Sequence, residues 1–453
     1  MLRNNDKHGV DIHKSKSIKD FVLCHPFLLL FIIAAIVHIF LPLNWGDDKV
    51  FSVSTAVPFS QFMQGKARPL TDGLTFVFSR YNILWRISNP FILVLMAKTL
   101  TELVPAENKK LSSLLFCTLP LYPTMAMVDA GFIATNINYL WPITFALVNL
   151  LIFQKTYSEG FRLYYILALP LLLYALNMEM MTVVLSFTFL FGIAVMLTKK
   201  KFHLFALIQA LLSVGSAVAA YTRNLSGDNS RMVREIARYF PEFESLTLFN
   251  KLELGFSSTF YGMTMRGTWA AIGFIAFTAF LAVTVFVSKK GVVQKVIAVF
   301  PCAFAIVFTT LSLTPVRYNS LFLLLTGKSK NTQFYLFEPI PDIFFIAIAI
   351  CVLATVAFLL ENKLEILKAY LILGVGLGSR MIMGFSPTVW ASGYRTFAVF
   401  FITIVIVIVM IADKYYKKRS CSRSVFFFII YCLSVSKKNL SSPACIHLLS
   451  RRM

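Results

Sequence analysis

The sequence predicts an all-α membrane protein that crosses the bilayer many times. Of its 453 residues, 58% are hydrophobic and only 14% are charged, and the mean hydropathy is +0.73. Several apolar runs are too long for core helices of a soluble domain, since about 20 residues at 1.5 Å each cross the hydrocarbon layer. We therefore predict a polytopic protein with about twelve transmembrane helices.

The chain divides into three predicted parts. Residues 1–20 form a basic cytoplasmic segment, and the first apolar run, 21–43, is interpreted as a retained signal anchor. Residues 21–412 form the membrane domain, and residues 413–453 a cytoplasmic or peripheral tail. After the first helix, transmembrane helices are predicted at 84–104, 111–128, 139–153, 163–177, 181–198, 203–221, 267–287, 295–314, 341–360, 366–383 and 396–412.

The positive charge of the chain follows the predicted topology. A net charge of +22 would suggest a nucleic-acid partner in a soluble protein, but most of the excess falls in connections on one side of the helices. This is the positive-inside pattern, so both termini are predicted in the cytoplasm and no nucleic-acid partner is expected. The basic inner connections contain Lys109, Lys110, Lys155, Arg162, Lys199, Lys200, Lys201, Lys289, Lys290, Lys363, Lys368, Lys414, Lys417, Lys418 and Arg419.

Function is expected on the opposite, outer face, where the long connections 44–83, 222–266 and 315–340 lie. In the first of these, residues 49–80 are of mixed polarity and predict an amphipathic surface helix, interrupted by turns at 65–69 and 71–73. None of the seven cysteines falls in a predicted outer loop, so no disulfide framework is expected. The histidines are scattered, which argues against a histidine metal site, and His38 is predicted to pack in the core.

The stretch Asn44-Trp45-Gly46-Asp47-Asp48 places two carboxylates directly after the first apolar run. A carboxylate at the membrane boundary can accept a proton from a sugar hydroxyl, or hold a divalent cation that neutralises a phosphate. The alternative is that Gly-Asp-Asp is only a polar turn that ends the first helix. The residues alone leave both interpretations open.

Other polar residues on the predicted outer face are candidates for substrate binding. Glu179 is a lone acid in a short turn, although it could be a solvated loop residue, and Asp129 has a weaker case. Arg395 lies in a short outer loop, where the positive-inside rule disfavours it, so a phosphate ligand would explain it. Arg68 and Arg231 belong to the outer basic residues, but Arg231 could instead lie on the exposed face of an outer helix.

Aromatic and amide side chains mark the start of the predicted helix at 139–153. Asn138, Tyr139 and Trp141 lie where an outer turn meets this helix. Tyr and Trp at such positions usually form the aromatic belt of a membrane protein, whereas sugar stacking is the alternative role.

Together these features resemble the GT-C superfamily of integral membrane glycosyltransferases, and within it the bacterial O-antigen-modifying multi-pass glucosyltransferases. The resemblance rests on the layout of residues 20–412 and on the acidic pair in the first outer loop. Supporting stretches are Asn138-Tyr139-Leu140-Trp141-Pro142, Asn177-Met178-Glu179, Ser226-Gly227-Asp228-Asn229-Ser230-Arg231 and Gly393-Tyr394-Arg395-Thr396.

The resemblance implies transfer of a sugar from a polyprenyl-phosphate donor to a glycan or lipid-linked acceptor, on the outer face of the inner (plasma) membrane. Asp47 or Asp48 would act as general base, and Arg231 and Arg395 would stabilise the departing phosphate. The remaining candidates, Arg68, Glu179, Asn138, Tyr139 and Trp141, would contact substrate. No cofactor follows from the resemblance, and a divalent cation at Asp47 and Asp48 stays open.

Two other functions fit a polytopic protein of this kind. A polysaccharide polymerase or ligase also has many helices and outer arginines, but depends less on an acidic pair after the first helix. A flippase or transporter of lipid-linked glycan would place charged residues within the membrane, where Lys98 and Arg380 are the main ionisable residues predicted here.

Overall fold

The computed structural model describes residues 25–64, 66, 68–119, 130–225, 230–265, 269–326, 335 and 337–417. Within these residues all regular secondary structure is helical and no strand occurs, which confirms the all-α prediction. The predicted N-terminal segment 1–20, the candidate Asp129 and the tail from residue 418 onward lie outside the described part.

The helices are numbered here in chain order. They are α1 (Pro26–Phe40), α2 (Gly46–Ser54), α3 (Phe59–Phe62), α4 (Pro69–Arg80), α5 (Asn82–Leu103), α6 (Lys109–Thr118), α7 (Phe132–Glu159), α8 (Leu163–Ala175), α9 (Glu179–Thr198), α10 (Leu204–Leu225), α11 (Ser230–Tyr239), α12 (Leu248–Thr264), α13 (Trp269–Val287), α14 (Val292–Ser312), α15 (Ser320–Thr326), α16 (Pro339–Leu360), α17 (Lys363–Met381) and α18 (Ala398–Lys417).

Eight helices in the described part are long and apolar enough to cross a membrane, which is compatible with a multi-pass membrane protein. They are α5, α7, α9, α13, α14, α16, and α17 and α18 with the short turns that adjoin them. Helices α1, α8 and the first part of α10 are apolar but shorter. The total of about twelve transmembrane helices therefore stays a prediction.

Charged connections contact one another at one end of the helical bundle, which we call the basic end. The Glu361 carboxylate, after α16, accepts hydrogen bonds from Lys290 and Lys414 at 2.5 and 3.2 Å. Asp413, the residue before Lys414, accepts hydrogen bonds through its carboxylate from the backbone N–H groups of Glu107 and Asn108. These contacts hold together the ends of α5, α16 and α18 and the connection before α14.

The Glu361 contacts give the basic end a pH-dependent contribution to stability. Hydrogen bonds from Lys290 and Lys414 lower the pKa of Glu361 from 4.5 to about 2. The contribution is therefore present above pH 4.5 and is lost as the pH falls toward 2. Because this carboxylate is 57% exposed, we expect Glu361→Gln to cost at most about 1 kcal/mol. Thermal unfolding in detergent should show this small loss at pH 7 and a smaller one as the pH is lowered toward 2.

Two segments of the predicted outer connections differ from the prediction in secondary structure or burial. Thr71-Asp72-Gly73 is not a turn but lies inside α4, because Pro69 starts the helix and Asp72 accepts the N–H of Arg68 at 3.1 Å. Within 222–266, α12 is largely buried rather than a surface loop. It passes so close to the end of α17 that a Cβ at Gly255 would lie 2.2 Å from the Met381 carbonyl oxygen.

Helix α7 is longer than the predicted span 139–153 and begins at Phe132. Its second turn, Asn136–Leu140, is a π-helical turn that carries both Asn138 and Tyr139. The turn lies just before Pro142, whose nitrogen has no hydrogen to donate to the preceding turn. Such turns occur often at functional sites, and here one presents Tyr139 near the end of the bundle opposite Lys155.

Candidate functional site

The two adjacent carboxylates have different environments. Asp48 is only 2% exposed, and both its oxygens accept backbone hydrogen bonds from the first turn of α7. The N–H groups of Phe132, Ile133 and Ala134 lie 2.5, 3.0 and 2.9 Å from these oxygens. Burial raises the pKa of the Asp48 carboxyl, while the three amides oppose that shift. Asp48 thus caps the positive end of α7 and ties α2 to it.

Two glycines make this contact sterically feasible. Gly131 has φ +94°, and a Cβ there would lie 2.8 Å from the Asp48 carboxyl carbon. Gly46 has φ +52°, and a Cβ there would lie 2.9 Å from the carbonyl carbon of Ala130. Both positions therefore require glycine, for backbone conformation and for space. The glycine of Gly46-Asp47-Asp48 brings α2 against the start of α7.

Asp47, in contrast, is half exposed and faces Arg395 from the far end of the sequence. The Arg395 Nη1 lies 3.4 Å from the Asp47 Oδ2, and the two side chains are 24% and 52% exposed. Adjacent residues of α2 thus serve different purposes: one carboxylate caps a helix, and the other is half exposed and paired with a guanidinium.

Arg395 is held in place by its own loop and by Tyr139. Its Nε donates to the Ser392 carbonyl at 2.9 Å, and its guanidinium carbon lies 5.6 Å from the Tyr139 ring centroid. The Ser392 hydroxyl bonds to that of Thr388, which bonds to that of Ser386, each at 2.8 Å. The sequence analysis did not select these hydroxyls, although Ser-Pro-Thr and Ser-Gly are turn signals.

A second ion pair lies beside Tyr139. Arg68 donates from Nε and Nη2 to the two Glu179 carboxylate oxygens, at 3.1 and 2.5 Å. Burial lowers the pKa of Arg68, but Glu179, followed by the Tyr139 phenol, raises it by more. The backbone N–H of Leu70 also donates to the Asn177 side chain at 3.2 Å, so α4 is fixed to the start of α9.

Five predicted residues thus come together from separate parts of the chain. We call them the Tyr139 cluster: Asp47, Arg68, Tyr139, Glu179 and Arg395. It lies at the end of the bundle opposite the basic end, since α7 carries Tyr139 near one end and Lys155 near the other. Likewise α18 follows Arg395 and carries Lys414 near its far end.

Trp141 and Asn138 do not belong to the exposed part of this cluster. Trp141 is buried, packs against Phe78, Phe145 and Tyr174, and donates from Nε1 to the Asn89 side chain at 2.8 Å. The Asn89 amide also bonds to His38, which is buried as predicted. The Asn138 amide, half-buried, donates to the Ala134 carbonyl of its own helix.

For Arg231 the structure describes the backbone. It lies near the start of α11, and its side chain is outside the described part of the structure. Helix α11 packs through Ile236 into a small apolar cluster with Phe240, Leu254 and Val389, six residues before Arg395. The helix therefore lies against the loop that holds Arg395.

The carboxylates of the acidic pair have protein partners. Both Asp48 oxygens already accept backbone N–H groups, and the Asp47 carboxylate has a guanidinium next to it. Among the described residues no group of three metal-binding side chains occurs. The site thus brings one half-exposed carboxylate beside an arginine, which lies near a tyrosine ring.

Comparisons with protein-family models, with curated proteins and with solved structures give no match to this chain.

Proposed function

We propose that the protein is a membrane glycosyltransferase. It moves a sugar from a polyprenyl-phosphate donor to a hydroxyl of a cell-envelope glycan or lipid-linked acceptor, on the outer face of the plasma membrane. The observation that carries the proposal is the contact between Asp47 and Arg395 at one end of a bundle of apolar helices. Such a transfer requires a base for the acceptor and a cation for the departing phosphate, and these two groups lie side by side.

In the proposed reaction, the Asp47 carboxylate accepts the proton of the acceptor hydroxyl as that oxygen bonds to the anomeric carbon. The bond from the anomeric carbon to the phosphate oxygen breaks, and its electron pair leaves with polyprenyl phosphate. Negative charge on the phosphate grows in the transition state, so the Arg395 guanidinium stabilises that state more than the bound donor. The Tyr139 ring supports the guanidinium and offers a flat surface for a sugar.

The distribution of charge supports an outer location for the Tyr139 cluster. The opposite end of the bundle carries Lys155, Lys290 and Lys414. By the positive-inside rule that end faces the cytoplasm. A donor with a polyprenyl tail would enter from the bilayer, along the apolar helices that surround the cluster.

A flippase of lipid-linked glycan is the second candidate, because the bundle contains buried ionisable side chains. Arg380 on α17 is 3% exposed, and Glu253 on α12 and Asp342 on α16 are also buried. Charges at such positions are typical of transport pathways. A polymerase or ligase would also break a bond between a sugar and a lipid phosphate, but depends less on an acidic pair after the first helix.

The fate of the sugar–phosphate bond separates the transferase from the flippase. Membranes that contain the protein would receive a panel of radiolabelled polyprenyl-phosphate sugars together with cell-envelope glycan. A transferase moves label from lipid to glycan and releases polyprenyl phosphate. If label crosses to the other leaflet still attached to lipid, the protein is a flippase and the proposal is wrong. Consumption of no donor in the panel would also contradict the proposal.

A further inference from the structure

The two ion pairs of the Tyr139 cluster differ in how firmly they are held. Arg68 and Glu179 form a fork with two hydrogen bonds, supported by the Leu70 to Asn177 contact. Arg395 and Asp47 share a single contact at 3.4 Å. Both carboxylates are 52% exposed, so the difference lies in the number and length of the contacts. A single long contact between exposed groups stabilises a protein little, whereas fork geometry is stronger. An incoming anion should therefore displace Asp47 more readily than Glu179.

Two contacts hold the Arg395 side chain independently of Asp47, so its position should not change when Asp47 is replaced by another anion. The Ser392 carbonyl holds Nε, and the Tyr139 ring lies near the guanidinium, so neither contact depends on Asp47. The phosphate of a polyprenyl-phosphate sugar is a diester with one negative charge, as a carboxylate has, but its two non-bridging oxygens match the fork geometry of a guanidinium. Asp47 uses one oxygen, at 3.4 Å. In the structure, Asp47 Oδ2 is paired with the Arg395 guanidinium. This oxygen therefore cannot accept the proton of a sugar hydroxyl until that pair separates.

From this geometry we infer that the donor phosphate replaces Asp47 as the partner of Arg395, and that Asp47 becomes available to the acceptor only when the donor is bound. Arg68 stays with Glu179 and serves to fix α4 to α9. The inference rests on the proposed function and adds an order to it: the Asp47 oxygen that faces Arg395 is paired in the resting protein and is released by the donor. Donor binding and base release become a single event.

The test measures the accessibility of Asp47 without any turnover. Purified wild-type protein in detergent is treated with a water-soluble carbodiimide and an amine, and modified carboxylates are quantified by peptide mass spectrometry. The experiment is run without ligand and with a saturating concentration of polyprenyl monophosphate, polyprenol or inorganic phosphate. Polyprenyl monophosphate carries the phosphate and the tail of the donor without its sugar, so no transfer can occur. We expect polyprenyl monophosphate to increase Asp47 modification severalfold, and polyprenol to have no effect. An equal effect of inorganic phosphate would show that the phosphate group alone is the ligand.

Matched positions and variants make the result specific. Glu179, paired with Arg68, should change little, and Glu159, paired with Arg162 near the basic end, should not change. In Arg395→Gln, Asp47 should be highly modified without ligand and insensitive to it, and Arg395→Lys should retain part of the response. If bound polyprenyl monophosphate leaves Asp47 modification unchanged or lowers it, the inference is wrong.

The test also separates failure of this inference from failure of the proposed function. Binding of polyprenyl monophosphate is measured on the same samples by native mass spectrometry. If sugar transfer is observed but Asp47 modification does not respond to bound ligand, only the masking of the base is refuted. If polyprenyl monophosphate does not bind and no donor is consumed, the proposed function fails and the inference fails with it.

Discussion

Replacing Asp47 by Asn should lower the rate of sugar transfer by about 100-fold or more, the size of effect expected for a general base. The amide keeps the shape of the side chain but cannot accept the proton of the acceptor hydroxyl. The fold should be unaffected, because the carboxylate is half exposed and makes one contact at 3.4 Å, worth at most about 1 kcal/mol. The measurement is transfer from the polyprenyl-phosphate sugar that wild type consumes, at matched protein levels.

A carboxylate elsewhere on the same predicted face provides the control. Glu244 is exposed and lies in the turn Pro241–Ser245 between α11 and α12. Glu244→Gln changes the net charge by the same amount as Asp47→Asn and should retain wild-type transfer. Equal transfer by wild type and Asp47→Asn, at equal melting temperature, would remove Asp47 from the mechanism.

The helices were the most predictable part of the fold, because long apolar runs have few alternatives in a bilayer. Helix α12 was missed for the opposite reason. Its buried face carries Glu253, Ser257, Ser258 and Thr259 as well as apolar residues, so hydropathy alone assigns it to a loop. Its burial and the close approach of Gly255 to Met381 show that it packs inside the bundle.

The candidate site was predictable as a set of residues but not as a set of contacts. Charges in short outer turns selected Glu179 and Arg395, yet nothing local pairs Arg395 with Asp47, 348 positions away. The sequence also could not separate the two aspartates, since their difference arises from the distant start of α7. The burial of Trp141 could not be predicted for the same reason, because the residue that accepts its hydrogen bond, Asn89, lies on another helix.

Replacing Asp48 by Asn should instead destabilise the protein, by about 2 kcal/mol or more. The buried carboxylate accepts three backbone N–H groups at the start of α7. An amide has one acceptor oxygen, and its NH₂ group would face at least one of these donors. Gly131→Ala should have a similar effect from the other side, since its Cβ would lie 2.8 Å from the Asp48 carboxyl carbon. Thermal unfolding of purified protein in detergent measures both.

Two comparisons show whether the contact itself is responsible. Gly160 also has a positive φ, +85°, but nothing lies within 4 Å of a Cβ there, so Gly160→Ala reports only the backbone cost. Gly131→Ala should lower the melting temperature by clearly more. The double variant with Asp48→Asn should lose less than the sum of both effects, because each change breaks the same contact. If Asp48→Asn keeps the wild-type melting temperature and abolishes transfer, the base is Asp48, and its assignment to Asp47 is wrong.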